Sequence, residues 1–432
     1  MSGYELYNNF KIYFETPDDG FSYFFGYYDK SPLNKSNTKL LAHRVSFDGR
    51  EVRDGDVAEV GYFDLATKNF HKVDETLAWN WQQGSQLQWM PPDFESEIIY
   101  NSIKKGRFVS IRFNIFTEKK RIIPFPIYVI HPNGKEALGV NYERLYWCRP
   151  GYNYQNVKNS KWNVPIHPED GIFKVNLETG DVKLIIRTQD VVNMSPNEEI
   201  LSSNNWLEHM MYNPSGDRFM FFHRWHKDNI DHTRLFTANS MDGGEPFMFP
   251  DTRFYSHAAW KNDKELTIWA IEPPKRNEIS MVESLALIAR KNNCIKKCLK
   301  PFYLLIKPLL PRKTAERISP QSKLLTYYDQ TCNYYIIANG VLSGNGHITW
   351  SKRNVNVILY DTYQDEKKYR SLRLFDIKNK HNRKIGQFFS QYNECGYRAD
   401  LHPRFDYSED FIIIDSAHLK KRKVLIIKEA IK

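Results

Sequence analysis

Short apolar runs separated by polar turns recur along the whole chain. "KLLAHRV", "EIIYNSI", "RFMFFHRW", "ELTIWAI", "VNVILYD" and "FIIIDS" each have the length and aromatic or β-branched content of a buried strand. Between such runs lie turns rich in Asn, Asp and Gly, among them "DLATKN" and "NLETGD", which mark hairpins. Aligned on these turns, the chain divides into seven units of turn, apolar strand, turn and apolar strand. Each unit reads as four short strands. Four-stranded units recurring every ~45–60 residues predict a β-propeller. We therefore expect an all-β, seven-bladed β-propeller that takes in residues 1–432 as one domain.

A local pattern repeats at the start of the later units. His209 stands three residues before Tyr212, His257 three before Trp260, His347 three before Trp350 and His402 three before Phe405. The inner strand of each propeller blade lines the central channel, so its first residues gather at one face. The equivalent positions are Tyr28, Gln86, Tyr128, His209, His257, His347 and His402. The ends of the second strands return to the same face. They add His43, Arg44, Asn101, Asn141, Arg144, His223, Arg224, Asp361, Tyr363 and Asp415. Strand ends need none of these groups for folding, and convergent polar groups in a concave place are the default binding site.

Composition changes the picture in three ways. Phe (27), Tyr (26) and Trp (10) are abundant, which favours pleated structure. The net charge of +10 suits an acidic partner, and the absence of a recognisable nucleic-acid module argues against nucleic acid. The five cysteines (Cys148, Cys294, Cys298, Cys332 and Cys395) are odd in number and form no zinc set, as expected of free thiols in a reducing cytoplasm. Neither a signal peptide nor a membrane-spanning run is expected.

The stretches "EHMMYNPSGDRFMFFHRWH", "SHAAW", "GHITWS…ILYDTY" and "DLHPRF…DSAH" resemble the oligogalacturonate-lyase-like seven-bladed propellers, whose blade grammar TolB-like propellers share. The likeness covers blades four to seven; blades one to three match by pattern alone. It implies a lyase acting on uronate-containing chains, with a divalent metal (Mn or Ca) held by histidines and a glutamine. It implies His257 as general base, Arg224 as the group on the uronate carboxylate, and His347 and His402 as metal ligands. Ala399 and Arg404 stand where the family has a further glutamine and histidine. A third ligand must then come from His209, Asp400 or Gln86.

The chemistry points to the same face. β-Elimination beside a uronate needs a cation on the carboxylate, a base for the adjacent proton and a donor for the leaving oxygen. Arg224 or Arg404, His257 and Tyr363 supply these roles. His223, Trp225, Asp361, Asp415 and Gln86 are the expected substrate contacts. Hydrolysis would instead use paired carboxylates, for which Asp361 and Asp415 are the candidates. A non-catalytic propeller that binds a glycan or a protein is the reading from another class, since fold alone does not decide.

Blade five is interrupted at 275–323. Apolar residues recur there at helical spacing, and nine Lys/Arg between Arg290 and Arg317 face a single acid, Glu316. This predicts a basic amphipathic helical insertion, with 284–318 lying on an anionic membrane surface. The expected setting is the cytoplasm, peripheral to the inner face of the membrane, in surface-polysaccharide metabolism.

Overall fold

A computed structural model describes residues 3–227, 230–273, 322–342, 344–394 and 396–430. Seven antiparallel sheets follow one another along the chain, one for each unit in the sequence. Blade five is representative: Tyr255–Trp260 is innermost, followed outward by Glu265–Ile271, Ser322–Tyr328 and Tyr334–Ile337. The helical insertion expected at 275–323 lies outside the described residues. Among the described residues the helices are short, and none is long and apolar enough to cross a membrane.

The outer hairpins show why the pattern repeats. Asp64, Asn114, Asn176 and Asp376 each end a third strand and accept a backbone N–H three residues on, from Thr67, Thr117, Thr179 and Asn379. The residue after that N–H donor, Lys68, Glu118, Gly180 or Lys380, has a positive φ. A side-chain-capped turn followed by one left-handed residue is a three- to five-residue hairpin solution. Asn239, through Met241 N, and Gly243 make the blade-four version.

Apolar residues of adjacent blades interdigitate to form the core. Met220 and Phe222 of blade four meet Tyr255, Ile268 and Leu325 of blade five. Trp269 of blade five meets Ile348, Ile358 and Phe375 of blade six. Inner strands such as Asn205–Tyr212 are buried along almost their whole length, whereas outer strands such as Lys120–Ile123 are largely exposed.

Two features depart from four consecutive strands per unit. The C-terminal unit supplies only Arg404–Phe405, Ile412–Ser416 and Lys423–Glu429; its outermost strand is Phe10–Glu15, paired from Phe10↔Glu429 to Glu15↔Leu425. Tyr4–Leu6 adds a fifth strand to blade six. In blade one, Ser22–Phe24 pairs with His43–Val45, and the chain then leaves the sheet until Leu33 meets Leu40. That excursion carries Tyr27 and Tyr28 into the channel.

Candidate functional site

In four blades the backbone turns left-handed at the equivalent place, within the inner strand or just before it. Gln86, His209, His257 and His402 have φ of 57°, 56°, 37° and 45°. At His209 and His257 the ladder slips by a bulge. Left-handed backbone is uncommon for such side chains, and bulges re-aim a side chain beside a site. His347 reaches the same ring without a bulge, because the Asp361 carboxylate accepts its backbone N–H at 2.7 Å.

The structure brings three of the predicted histidines into contact. Ring centroids are 4.1 Å apart for His257–His347 and 4.4 Å for His347–His402. Tyr27 packs edge-on against His347 and His402 and also touches His209, at 5.3 Å. Tyr28 lies against His257, His347 and His402, with its hydroxyl donating to Ala258 O at 2.8 Å. The two tyrosines therefore floor the ring. The rim is formed by half-buried Ser256, Asn345, Tyr363 and Arg398.

His257 Nδ1 lies 2.8 Å from Asn345 Oδ1, while Asn345 Nδ2 donates to Ser256 Oγ at 3.0 Å. With the amide so oriented, Nδ1 carries the proton and Nε2 keeps its lone pair. The Tyr363 hydroxyl lies 3.5 Å from that Nε2. Burial, and then the neighbouring His347, hold His257 well below the usual imidazole range, so it is neutral near pH 7.

His347 Nδ1 faces both oxygens of Asp361 at 3.0 Å, which leaves its Nε2 free. That Nε2, His402 Nε2 and Asp400 Oδ1 are buried without hydrogen-bond partners. His347, Asp400 and His402 present donor atoms within 4.8 Å of one another. Burial lowers His347 to about 3 and His402 well below its ordinary value, so both imidazoles have lone pairs to offer. Burial raises Asp361 to about 6, assisted by the Asp400 charge. Asp400 itself is held well down: burial opposes its charge, but Arg398 and Arg370 outweigh it. Arg370 Nη1 is 2.7 Å from Asp400 Oδ1, at an angle that makes no hydrogen bond, and Arg398 Nε donates to Oδ2 at 2.5 Å. Two imidazoles and a carboxylate, with a carboxylate behind one imidazole, fit a divalent transition-metal cation, Mn among them, better than Ca, which prefers oxygen alone. Of His209, Asp400 and Gln86, Asp400 is the one placed with the two histidines.

The other predicted residues have these places. Arg224 Nε lies 2.8 Å from Glu208 Oε1, which Arg149 shares at 3.3 Å. Burial opposes the Glu208 charge, yet Arg149, His209 and Arg224 hold its carboxyl far below the usual range. Gln86 donates to Gln83 and to the Tyr142 hydroxyl, and Gln83 to the Tyr128 hydroxyl. His223 and Trp225 lie on the opposite strand face from Phe222 and Arg224 and are fully buried, bonded to Asn205 and Glu199. His43 bonds Ser85, and Arg144 donates to four carbonyls, of Trp162, Val164, Pro165 and Asn205. Arg404 and Asp415 bind each other at 2.9 Å. Arg404 also donates to Gly26 O and Tyr27 O, and Asp415 accepts from Phe25 N and Gly26 N, so the pair anchors the tyrosine excursion.

No protein-family model matches the chain, and no curated protein matches it by sequence. Solved structures do. An oligogalacturonate lyase in complex with manganese matches with a TM-score of 0.62 at 16% identity, over 99% of this chain and 96% of that one. An oligogalacturonate lyase from Vibrio parahaemolyticus matches with a TM-score of 0.58 at 13% identity, over 97% and 96%. The fold is that of the oligogalacturonate lyases. Asn345, Arg370 and Arg398 also stand at the site of this propeller, residues that the aligned strand ends do not include. Arg398 lies in "RADLHP", four residues before His402 and two before Asp400, and Asn345 precedes His347 by two.

Proposed function

We propose that the histidine face is a lyase-type site acting by β-elimination on a uronate-containing glycan. The observation that carries this reading is the pairing of His257 and Tyr363: a neutral imidazole whose Nε2 lone pair faces a phenol 3.5 Å away, beside three donor atoms that accept no hydrogen bond. His257 Nε2 takes the proton next to the carboxylate. The Tyr363 hydroxyl, held un-ionised by burial, donates to the leaving oxygen. Arg224 and the half-buried Arg398 bind the carboxylate. His347, His402 and Asp400 would hold a divalent cation, which would withdraw charge from the carboxylate and acidify the adjacent C–H bond.

Fold similarity to lyases, one of them a manganese complex, supports this reading. The two-carboxylate alternative has little support, because Asp361 is engaged with His347 and Asp415 with Arg404. One observation favours the non-catalytic reading: Arg370 and Arg398 already neutralise Asp400, as they would in a site that binds an acidic glycan without metal. The deciding experiment supplies manganese and a panel of uronate polysaccharides and follows the ultraviolet absorbance of the unsaturated product. Turnover that falls about 100- to 10,000-fold in His257→Ala supports the lyase. Saturable glycan binding with no product, in the presence of metal, would leave the binding propeller.

The acidic glycan would be met at a membrane. Ile271 and Ser322, which flank the basic segment, pair with each other at the face where Tyr255 begins the strand that carries His257. Deleting 284–318 should abolish co-sedimentation with anionic vesicles; unchanged co-sedimentation would remove the membrane from the proposal.

A further inference from the structure

Asp400 is claimed twice. It is the carboxylate of the donor set with His347 and His402. It is also the carboxylate between two guanidiniums: Arg398 Nε donates to Oδ2 at 2.5 Å, and Arg370 Nη1 stands 2.7 Å from Oδ1. Asp400 is buried, and a buried carboxylate left unpaired is costly. The arginines let it stay charged without a metal cation. The same pairing works against one, because guanidiniums at both oxygens put positive charge where a dication would need the carboxylate, and like charges repel strongly away from water. A dication and both arginines cannot share Asp400 as the three groups now stand, so one arginine must yield.

Anchoring decides which one. Arg370 is fully buried in the strand Tyr369–Asp376, and its Nη2 donates to Asn393 Oδ1 at 3.0 Å. Arg398 is held differently. Its backbone is pinned, since its carbonyl accepts from Gln82 Nε2 at 2.8 Å and from Arg422 Nη1 at 3.2 Å. Its side chain is 19% exposed at the rim, and among the described residues the one hydrogen bond of its guanidinium goes to Asp400. That guanidinium also lies over Tyr363, 5.2 Å from the ring centre. Giving up Asp400 would leave it resting on the phenol that faces His257.

We propose that Arg398 is a built-in competitor of the cation: Asp400 exchanges Arg398 for the metal, and the guanidinium so released is the one that takes the uronate carboxylate. This rests on the reading of the ring as a cation-holding lyase site. It reconciles two roles that the present contacts keep apart, Asp400 as a ligand and Arg398 as a substrate contact. Metal and acidic sugar would then favour each other, since each binds better once Arg398 has changed partner.

The test is a calorimetric titration of the full chain with manganese. Arg398→Met and Arg398→Gln should each bind it at least about tenfold more tightly than the wild type, the scale of one like charge removed from beside a cation. Arg398→Lys keeps the charge and should stay near the wild-type affinity. Thermal melts in chelator check that each variant is folded; the glutamine variant, which retains an N–H for Asp400, keeps the test valid if the methionine variant does not fold. Unchanged or weaker binding in the uncharged variants, with manganese bound by the wild type, would overturn the competition and leave the cation site standing. No manganese bound by the wild type or by any variant would overturn the competition and the cation site together.

Discussion

His347 Nδ1 lies 3.0 Å from each oxygen of the Asp361 carboxylate, and this contact fixes which nitrogen of His347 faces the channel. The same carboxylate accepts the backbone N–H of His347 and, at 3.3 Å, of His402. One buried side chain thereby sets the tautomer of one candidate ligand and the backbone of two. Carboxylates behind metal-binding histidines are worth about 10–100-fold in metal affinity. Asp361→Asn should therefore weaken manganese binding by that factor, measured by calorimetry, and the His347→Ala/His402→Ala double variant should abolish it.

Tyr363 separates the chemistry from the binding. Tyr363→Phe keeps the ring and its contacts with Arg370 and Arg398 but removes the proton donor. If elimination occurs here, kcat falls about 100- to 10,000-fold while KM changes little. Equal loss in KM would instead make Tyr363 a substrate contact.

Acid should destabilise the protein from an unusually high pH. Burial lowers His43 from 6.5 to about 4, and His223 and His347 to about 3. Between about pH 6.5 and 4 the unfolded chain binds protons at these positions that the folded chain refuses, so stability falls as pH falls. Asp170 and Asp361, raised by burial from 3.8 to about 6, work the other way over much of this window. They are fewer and shifted less. Thermal melts in chelator should show Tm falling by several degrees from pH 7.5 to 5; a flat or rising profile would contradict neutral buried histidines.

The Arg404–Asp415 pair anchors the excursion that floors the ring. Asp415→Ala leaves a buried guanidinium uncompensated and should cost about 3–5 kcal/mol in urea unfolding. The double variant Arg404→Met/Asp415→Leu should recover most of that loss, because it removes both charges together.

The architecture and half of the site were legible in the chain itself. Blade units repeat because each must bury the same two faces, so period and turn chemistry expose them. His209, His257, His347 and His402 were legible because they occupy equivalent places in successive units. The bulges that aim them were not, since a left-handed φ at histidine leaves no mark on the hydrophobic pattern. His223 and Trp225 look like neighbours of Arg224 in sequence, but strand alternation sends them to the opposite face. Asn345 and Arg398 stand just outside the strands, where no period predicts position. Arg404 occupies a place that chemistry would give to catalysis, yet its bonds tie down Gly26 and Tyr27.

The blade-seven sheet is completed by Phe10–Glu15, from the opposite end of the chain. Phe14 is 5% exposed and packs with Tyr23, Ile413 and Ile426. Phe14→Ala should cost about 3–5 kcal/mol by urea unfolding, and a much smaller loss would mean that the ring closes without this strand.

That clasp orders events during synthesis. Residues 10–15 leave the ribosome long before their partners at 425–429. Six blades can assemble while translation proceeds, but the seventh waits for nearly the whole polypeptide, with an unpaired strand exposed throughout. A permuted gene that moves the first strands behind the last ones would make the closing pair neighbours in time as well as in space. It should reach the same ring with less dependence on chaperones.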